Sequence, residues 1–309
     1  MSLSFLSRFN RHDNAQQQNG LWIMILAMLL IPSVDVLAKL LSKDLGPVQI
    51  SFLRVAFQAV FLLVAIRGLP RLIHSAALTK KLLIASLLVN LAVTSMVWSL
   101  VSMPVANAVA LFFIEPLLVM LLSSLLLKEK SAPIKYLLAL VGLAGALVVI
   151  RPNFQLYGWS SVLPMLAALF YALYLITVRT VRSQIATSEM QAYISLAGII
   201  MMGAILLTGQ ISGAELLDWS PIQLPHWHLL ILLGFFSALT HWMISTAFSL
   251  SKATTLAPLR YLEIISATAL GYLVFGDYPD ILTWTGTAII LGSGLCLIHL
   301  DRKREARNS

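Results

Sequence analysis

Residues 254–275 read TTLAPLRYLEIISATALGYLVF, and this run decides the kind of fold. Only two charges, Arg260 and Glu263, interrupt it. About 20 apolar residues is the length that crosses the hydrocarbon core of a bilayer. A charge inside such a run costs roughly 2.5–3.5 kcal/mol to insert, so it needs a partner or a wet cavity. Residues 105–127, VANAVALFFIEPLLVMLLSSLLL, repeat the pattern. An offset of 148 lays Glu115 on Glu263 and Glu129 on Asp277, and the two acids stand fourteen residues apart in both runs.

The rest of the chain has the same character. Of its 309 residues, 59% are hydrophobic and 11% are charged, against about 25% charged in an average soluble domain. So few polar side chains cannot cover so much apolar surface, and the surrounding solvent must be largely lipid. One cysteine, Cys296, excludes an intrachain disulfide and a Cys-based zinc cluster, and is expected to pack as a small core residue.

Ten spans are expected: Leu21–Leu41, Val48–Ile66, Leu82–Val101, Val105–Leu127 and Ile134–Ile150, then Leu156–Val178, Met190–Thr208, Trp227–Leu250, Thr254–Phe275 and Ile281–His299. Pro104 and Lys252 mark the two shortest gaps as turns. The longest connection, Gly209–His226, carries Glu215, Asp218, Trp219, Pro221 and Pro225 and reads as an interfacial segment. No loop has room for a soluble domain.

The net charge of +8 would suit a nucleic-acid binder if it were clustered on one face. It is instead sorted by loop. Of the 21 basic residues, 16 fall in the two tails and the connections after spans 2, 4, 6 and 8, among them Arg67, Arg71, Lys128, Lys130 and Arg182. Lys43 and Arg151 are on the opposite side, and Lys39, Arg54 and Arg260 lie within spans. Basic loops stay in the cytosol. The split therefore predicts a multi-pass protein of the inner (plasma) membrane with both termini cytosolic, and it leaves no role for nucleic acid. Residues 1–20 read as a cytosolic tail without the features of a signal peptide, and residues 300–309 as a second, basic one.

Five spans per half is an odd number, so the halves 21–150 and 156–299 insert with opposite hand. The same offset lays Trp98 and Ser99 on Thr246 and Ala247; offsets of 140 and 147 lay Lys39 on Arg179 and Gly145 on Gly292. Inverted repeats recur in secondary transporters, with the site at the repeat interface. Three stretches sharpen the comparison: Ile114-Glu115-Pro116 with Leu127-Lys128-Glu129, then Ala257–Glu263, then Phe275–Asp280. With these the chain resembles the drug/metabolite transporter superfamily and, within it, the ten-helix EamA family. The Arg-Tyr-x-Glu element is similar to the branch that holds the S-adenosylmethionine uptake transporters. The resemblance implies an all-α membrane fold, ten helices in two inverted repeats, around a cavity lined by spans 1, 3, 4, 6, 8 and 9. Phe112 stands where symmetry with Arg260 would put a cation, so the site is expected to be chemically asymmetric.

The candidate substrate-binding residues are Asp35, Arg54, Trp98, Glu115, Tyr171, His241, Arg260, Tyr261 and Glu263. Asp35 and Lys39, four apart, share a helix face and either pair or diverge, with Asp35 toward the cavity and Lys39 outward. Arg54 pairs with Asp35 or binds an anionic group. Glu115 precedes Pro116, which removes a backbone hydrogen bond and kinks the span. Arg260 and Glu263 neutralise each other or are taken over by a zwitterion, its carboxylate on Arg260 and its amine on Glu263. His241 packs through a hydrogen bond or relays protons. Trp98, Tyr171, Tyr174, Trp242 and Tyr261 are candidates for a cation–π cage. Trp159, Trp219, Trp227 and Trp284 lie near span ends as interfacial anchors. Ala288 and Gly292, four apart, are expected to allow close helix contact.

Neither an ATP-binding Gly-x-x-x-x-Gly-Lys-Ser/Thr loop nor His-Glu-x-x-His nor Gly-x-Ser-x-Gly occurs. The expectation is a secondary transporter of a small polar or zwitterionic metabolite, of which S-adenosylmethionine is the type. It works without cofactor or metal, as monomer or homodimer, with protons or an exchanged metabolite as co-substrate. Export of amino acids or drugs is the alternative; a lipid flippase or intramembrane enzyme ranks below.

Overall fold

The computed structural model describes residues 3–65, 75–126, 133–181, 184–213, 217, 219–251 and 256–308. Arg67, Arg71, Lys128, Glu129, Lys130, Arg182, Glu215, Asp218 and Lys252 lie outside the described residues. Among those described the chain is all helical: α1 (Leu3–Leu41), α2 (Pro47–Ala65), α3 (Ala76–Leu100), α4 (Val105–Phe112), α5 (Glu115–Leu126), α6 (Pro133–Tyr157), α7 (Leu163–Arg179), α8 (Thr187–Ser212), α9 (Leu224–Leu250), α10 (Leu262–Phe275) and α11 (Ile281–Asn308). Short 3₁₀ turns at Gly158–Val162 and Ala257–Tyr261 lead into α7 and α10.

Seven segments are long and apolar enough to cross a bilayer, with α4 and α5 together forming one, Val105–Leu126. Tyr136–Ile150 in α6 and Ile281–Leu297 in α11 are shorter apolar helices, and α10 with its 3₁₀ lead-in completes ten. The helices overrun the expected spans because polar ends continue the hydrogen-bond ladder beyond the apolar core. Residue 151 falls inside α6, the residues before Gly20 are an extension of α1, and only residues 213–223 separate α8 from α9. Gly213 and Gly276, at φ of 66° and 73°, let α8 and α10 end in the left-handed conformation.

The strongest packing joins the first half to the second: α1 on α9, α3 on α7, α6 on α11, α2 on α8 and α9, α1 on α10, and α5 on α7. Exchanging the halves turns α1–α9 into α3–α7 and α1–α10 into α5–α7, while α6–α11 and α2–α8 map onto themselves. The two halves interlock, and neither could bury its own apolar surface alone.

The outer surface carries Trp22, Leu26, Val64, Leu125, Ile200, Ile211 and Leu273, each more than half exposed. Apolar patches on that scale belong against lipid. The chain is a multi-pass membrane protein. Trp159, Trp219, Trp227 and Trp284 are all exposed, as anchors require.

Two packing expectations fail. Cys296 is exposed on α11, since it falls on the helix face turned away from the bundle. Ala288 and Gly292 share that outward face, and Gly292 has open space around it. The close contact of α6 with α11 is made instead by Gly145 and Gly286: a Cβ on Gly286 would come within 2.6 Å of the Gly145 carbonyl oxygen.

Candidate functional site

Both halves break one span at the same place. Pro116 has no N–H to offer the Phe112 carbonyl, and its ring crowds that oxygen. The helix accordingly stops at Phe112, turns through Phe113 and Ile114, and restarts as α5 with Glu115 as its first residue. In the second half the turn Ala257–Tyr261 precedes α10, whose first turn holds Glu263. The repeated acids therefore sit in the first turns of α5 and α10, where the helix dipole favours negative charge. Discontinuous spans of this kind build binding sites in inverted-repeat transporters.

Arg260 crosses from one half to the other. Its Nη2 lies 3.0 Å from Glu115 Oε2; the arginine side chain keeps 26% of its surface accessible and the glutamate 2%. The contact is an ion pair, and Oε2 has no well-aligned hydrogen bond. This corrects the expected Arg260–Glu263 pair. Arg260 belongs to the 3₁₀ turn and Glu263 to the α-helix after it, so the arginine fork reaches across to α5. Glu263 is buried at 7% exposure and feels the charges of Arg260, Asp35 and Glu115. Among the described residues it has no direct ion pair or hydrogen bond.

Asp35 on α1 is buried and lies in the field of Arg54 on α2, without direct contact. Arg54 Nε donates to Ser237 Oγ on α9 at 3.0 Å. The expected alternative of an Asp35–Lys39 pair does not form. The Lys39 amine reaches the end of α1, where Asp277 Oδ2 is 2.8 Å away, the Met103 carbonyl 2.9 Å and the Phe275 ring centroid 4.6 Å. A carboxylate plus a carbonyl at the helix end outcompetes the neighbour one turn back.

Tyr171 on α7 ties the two charge groups together, coupling electrostatically to Arg260, Glu115, Glu263 and Arg54. Its ring packs 5.6 Å from Phe112 and 5.4 Å from Tyr174, whose hydroxyl accepts from Gln191 Nε2 at 3.0 Å. Tyr261 packs 5.5 Å from Phe113. His241 engages the Ser237 carbonyl through Nδ1 at 2.8 Å, the packing alternative of the two expected. Trp98 is half-buried near the end of α3 and, among the described residues, joins none of the cluster's ring pairs. Trp242 is 58% exposed on the outside of α9 and cannot belong to an internal cage.

Asp35, Arg54, Glu115, Tyr171, Arg260 and Glu263 thus converge from α1, α2, α5, α7, the 3₁₀ turn and α10. Arg54, Tyr171, Arg260 and Tyr261 are partly buried, neither sealed in the core nor on the outer surface. Sequence reasoning missed Ser237, Phe112 and Phe113 as neighbours of this cluster. The position of Phe112 and Phe113 just before Glu115-Pro116 was the available signal; nothing in the sequence marked Ser237.

A family model described as the EamA-like transporter family matches residues 18–151 and 158–299. The chain is 25% identical over 290 residues to an S-adenosylmethionine uptake transporter of Rickettsia bellii, covering 92% of this chain and 94% of that one. It is 30% identical over 205 residues to a riboflavin transporter of Brucella anthropi, covering 66% and 71%. A pseudopaline exporter of Pseudomonas aeruginosa is 26% identical over 289 residues, covering 91% and 96%. One solved crystal structure shares the fold at a TM-score of 0.62 and 19% identity, over 93% of this chain and 99% of that one. These relatives are transporters and not enzymes. With one matched repeat in each half and ten helices around a shared charged centre, the chain belongs to the EamA-like transporter family.

Proposed function

We propose that the chain is a secondary transporter of a small zwitterionic metabolite, of the type of S-adenosylmethionine, working by alternating access in the inner membrane with both termini in the cytosol. The observation that carries this reading is the Arg260–Glu115 contact. It joins the two halves at their broken spans, and a substrate carboxylate can replace Glu115 on Arg260. The substrate amine then lies toward Glu263, with Tyr171 and Tyr261 beside it. Asp35, Arg54, His241 and Trp98 complete the chamber. The sorting of 16 basic residues against two supports the orientation. Protons or a counter-metabolite drive the cycle, since the sequence lacks an ATP-binding loop.

The test is uptake of labelled S-adenosylmethionine and riboflavin into proteoliposomes, with substrate gradients of both directions. Arg260→Lys keeps the charge but loses the planar fork. The expected result is a KM raised by about tenfold, the worth of one charge-assisted hydrogen bond. Unchanged KM removes Arg260 as the carboxylate site, and a lipid tracer crossing faster than either metabolite would favour a flippase.

A further inference from the structure

Three carboxyl groups and two guanidinium groups meet at the centre of the bundle. The acids are Asp35, Glu115 and Glu263; the cations are Arg54 and Arg260. Mutual electrostatic coupling binds them into one group. Among the described residues, every other titratable neighbour is neutral or engaged. Tyr171 and Tyr261 are phenols, and His241 beside Arg54 is tied to the Ser237 carbonyl. Lys39 is held by Asp277 at the end of the bundle. Fully ionised, the group carries one uncompensated negative charge.

That charge falls on Glu263. Glu115 touches Arg260 at 3.0 Å, and Asp35 faces Arg54, whereas Glu263 is buried without a direct partner among the described residues. Taking an ion out of water costs several kcal/mol. The N-terminus of α10 returns about 0.3–1 kcal/mol, or about 2 at best, and dissolved salt screens a buried charge weakly. The deficit must be met by a positive charge from outside the protein.

We infer that each transport cycle carries a net charge of +1 into this site, delivered to the carboxyl of Glu263. This rests on the proposed transporter reading and sharpens its substrate class. A zwitterion brings one charge of each sign and leaves the imbalance standing. The cargo is therefore a zwitterion with a second cationic centre, or a neutral zwitterion together with one proton. Either way the positive charge, proton or onium, sits on Glu263, while the substrate carboxylate sits on Arg260.

Two measurements on proteoliposomes test it. The first needs no organic substrate: a pH jump on a supported membrane should give a transient current in the wild type that is lost in Glu263→Gln. No transient in the wild type, or an equal one in the variant, overturns the inference whatever the cargo is. The second separates the sources of charge. S-Adenosylmethionine has a carboxylate, an ammonium and a sulfonium; S-adenosylhomocysteine lacks the sulfonium. Uptake of the first should displace the proton that Glu263 holds in the empty carrier, releasing one proton per molecule and following a pH gradient that is acid inside. Uptake of the second should leave that proton on Glu263 and release none. In Glu263→Gln the first should fall at least tenfold and lose its response to the pH gradient, while the second should change less. Uptake of the first without proton release, or an equal fall of both in the variant, overturns the inference. If neither compound enters while the transient is present, the substrate reading falls and the charge site stands.

Discussion

The centre of the bundle and its end opposite the two chain termini treat charge in opposite ways. At that end the described Lys39, His226 and Gln49 side chains have each found a complement, although the buried hydroxyls of Ser161 and Thr283 have not. Lys39 is held by Asp277, the Met103 carbonyl and the Phe275 ring. His226 takes Asp44 at 3.1 Å on one nitrogen and the Gln223 N–H at 3.2 Å on the other. The Gln49 amide binds the Ser220 backbone in both directions, at 2.8 and 3.0 Å. At the centre, among the described residues, Glu115 Oε2 has an ion pair without an aligned hydrogen bond, and Glu263 has neither. A satisfied polar network holds structure together; an unsatisfied one in an apolar interior is a cost that only a ligand or an external ion can relieve. The two regions should respond to mutation in different currencies, the end in stability and the centre in transport.

The strongest way to break this contrast is at Arg260. Arg260→Ala leaves the buried Glu115 carboxylate without its contact, and losing one partner of a buried pair costs about 3–5 kcal/mol. Transport should fall more than a hundredfold, with a large drop in melting temperature in detergent. Replacing both partners, as Arg260→Met with Glu115→Met, should restore the melting temperature, since apolar pairs often match buried ion pairs in stability. It should restore no transport. Recovered flux in the double variant would make the pair structural and erase the difference between centre and end.

How much of this was readable in advance follows from which forces are local. Lipid imposes apolar runs of fixed length, so the spans, the paired acids Glu115 and Glu263 and the break before Pro116 were visible in the sequence. Pairing was not. Rules for residues three or four apart suggested Asp35–Lys39 and Arg260–Glu263. The actual partners are Asp277, 238 residues from Lys39, and Glu115 in the other half. Long cationic side chains at a helix end or on a broken turn choose among all groups the packing brings within reach, and that depends on helix rotation. The same rotation turned Cys296 and Gly292 outward.

A smaller effect of a different kind is expected from the satisfied end. Lys39→Met removes a half-buried pair whose aspartate keeps 30% of its surface accessible, so water takes over part of the loss. About 1 kcal/mol of stability should go, a drop of a few degrees in melting temperature, with KM within about twofold of wild type. A KM shift near tenfold would show that Lys39 acts on the substrate site, and the division between end and centre would fail.

The smallest effect belongs to Trp242, and it tests whether the centre has been drawn with the right boundary. It stands next to His241 in sequence, one step from the charge group, and a cation–π cage built from intramembrane aromatics would include it. Its ring is 58% exposed on the outside of α9 instead, where it meets lipid and no charged group of the cluster. Trp242→Ala should therefore leave KM and the response to a pH gradient unchanged within about twofold. Tyr171→Phe, by contrast, keeps the ring on Phe112 but removes the hydroxyl that lies in the fields of both arginines. It should raise KM by about tenfold or more, because a hydrogen bond to a charged group is worth about 1.5–3 kcal/mol net. If Trp242→Ala proves the more damaging of the two, the chamber opens toward the lipid face of α9, and the cargo has to be sought among molecules that enter sideways.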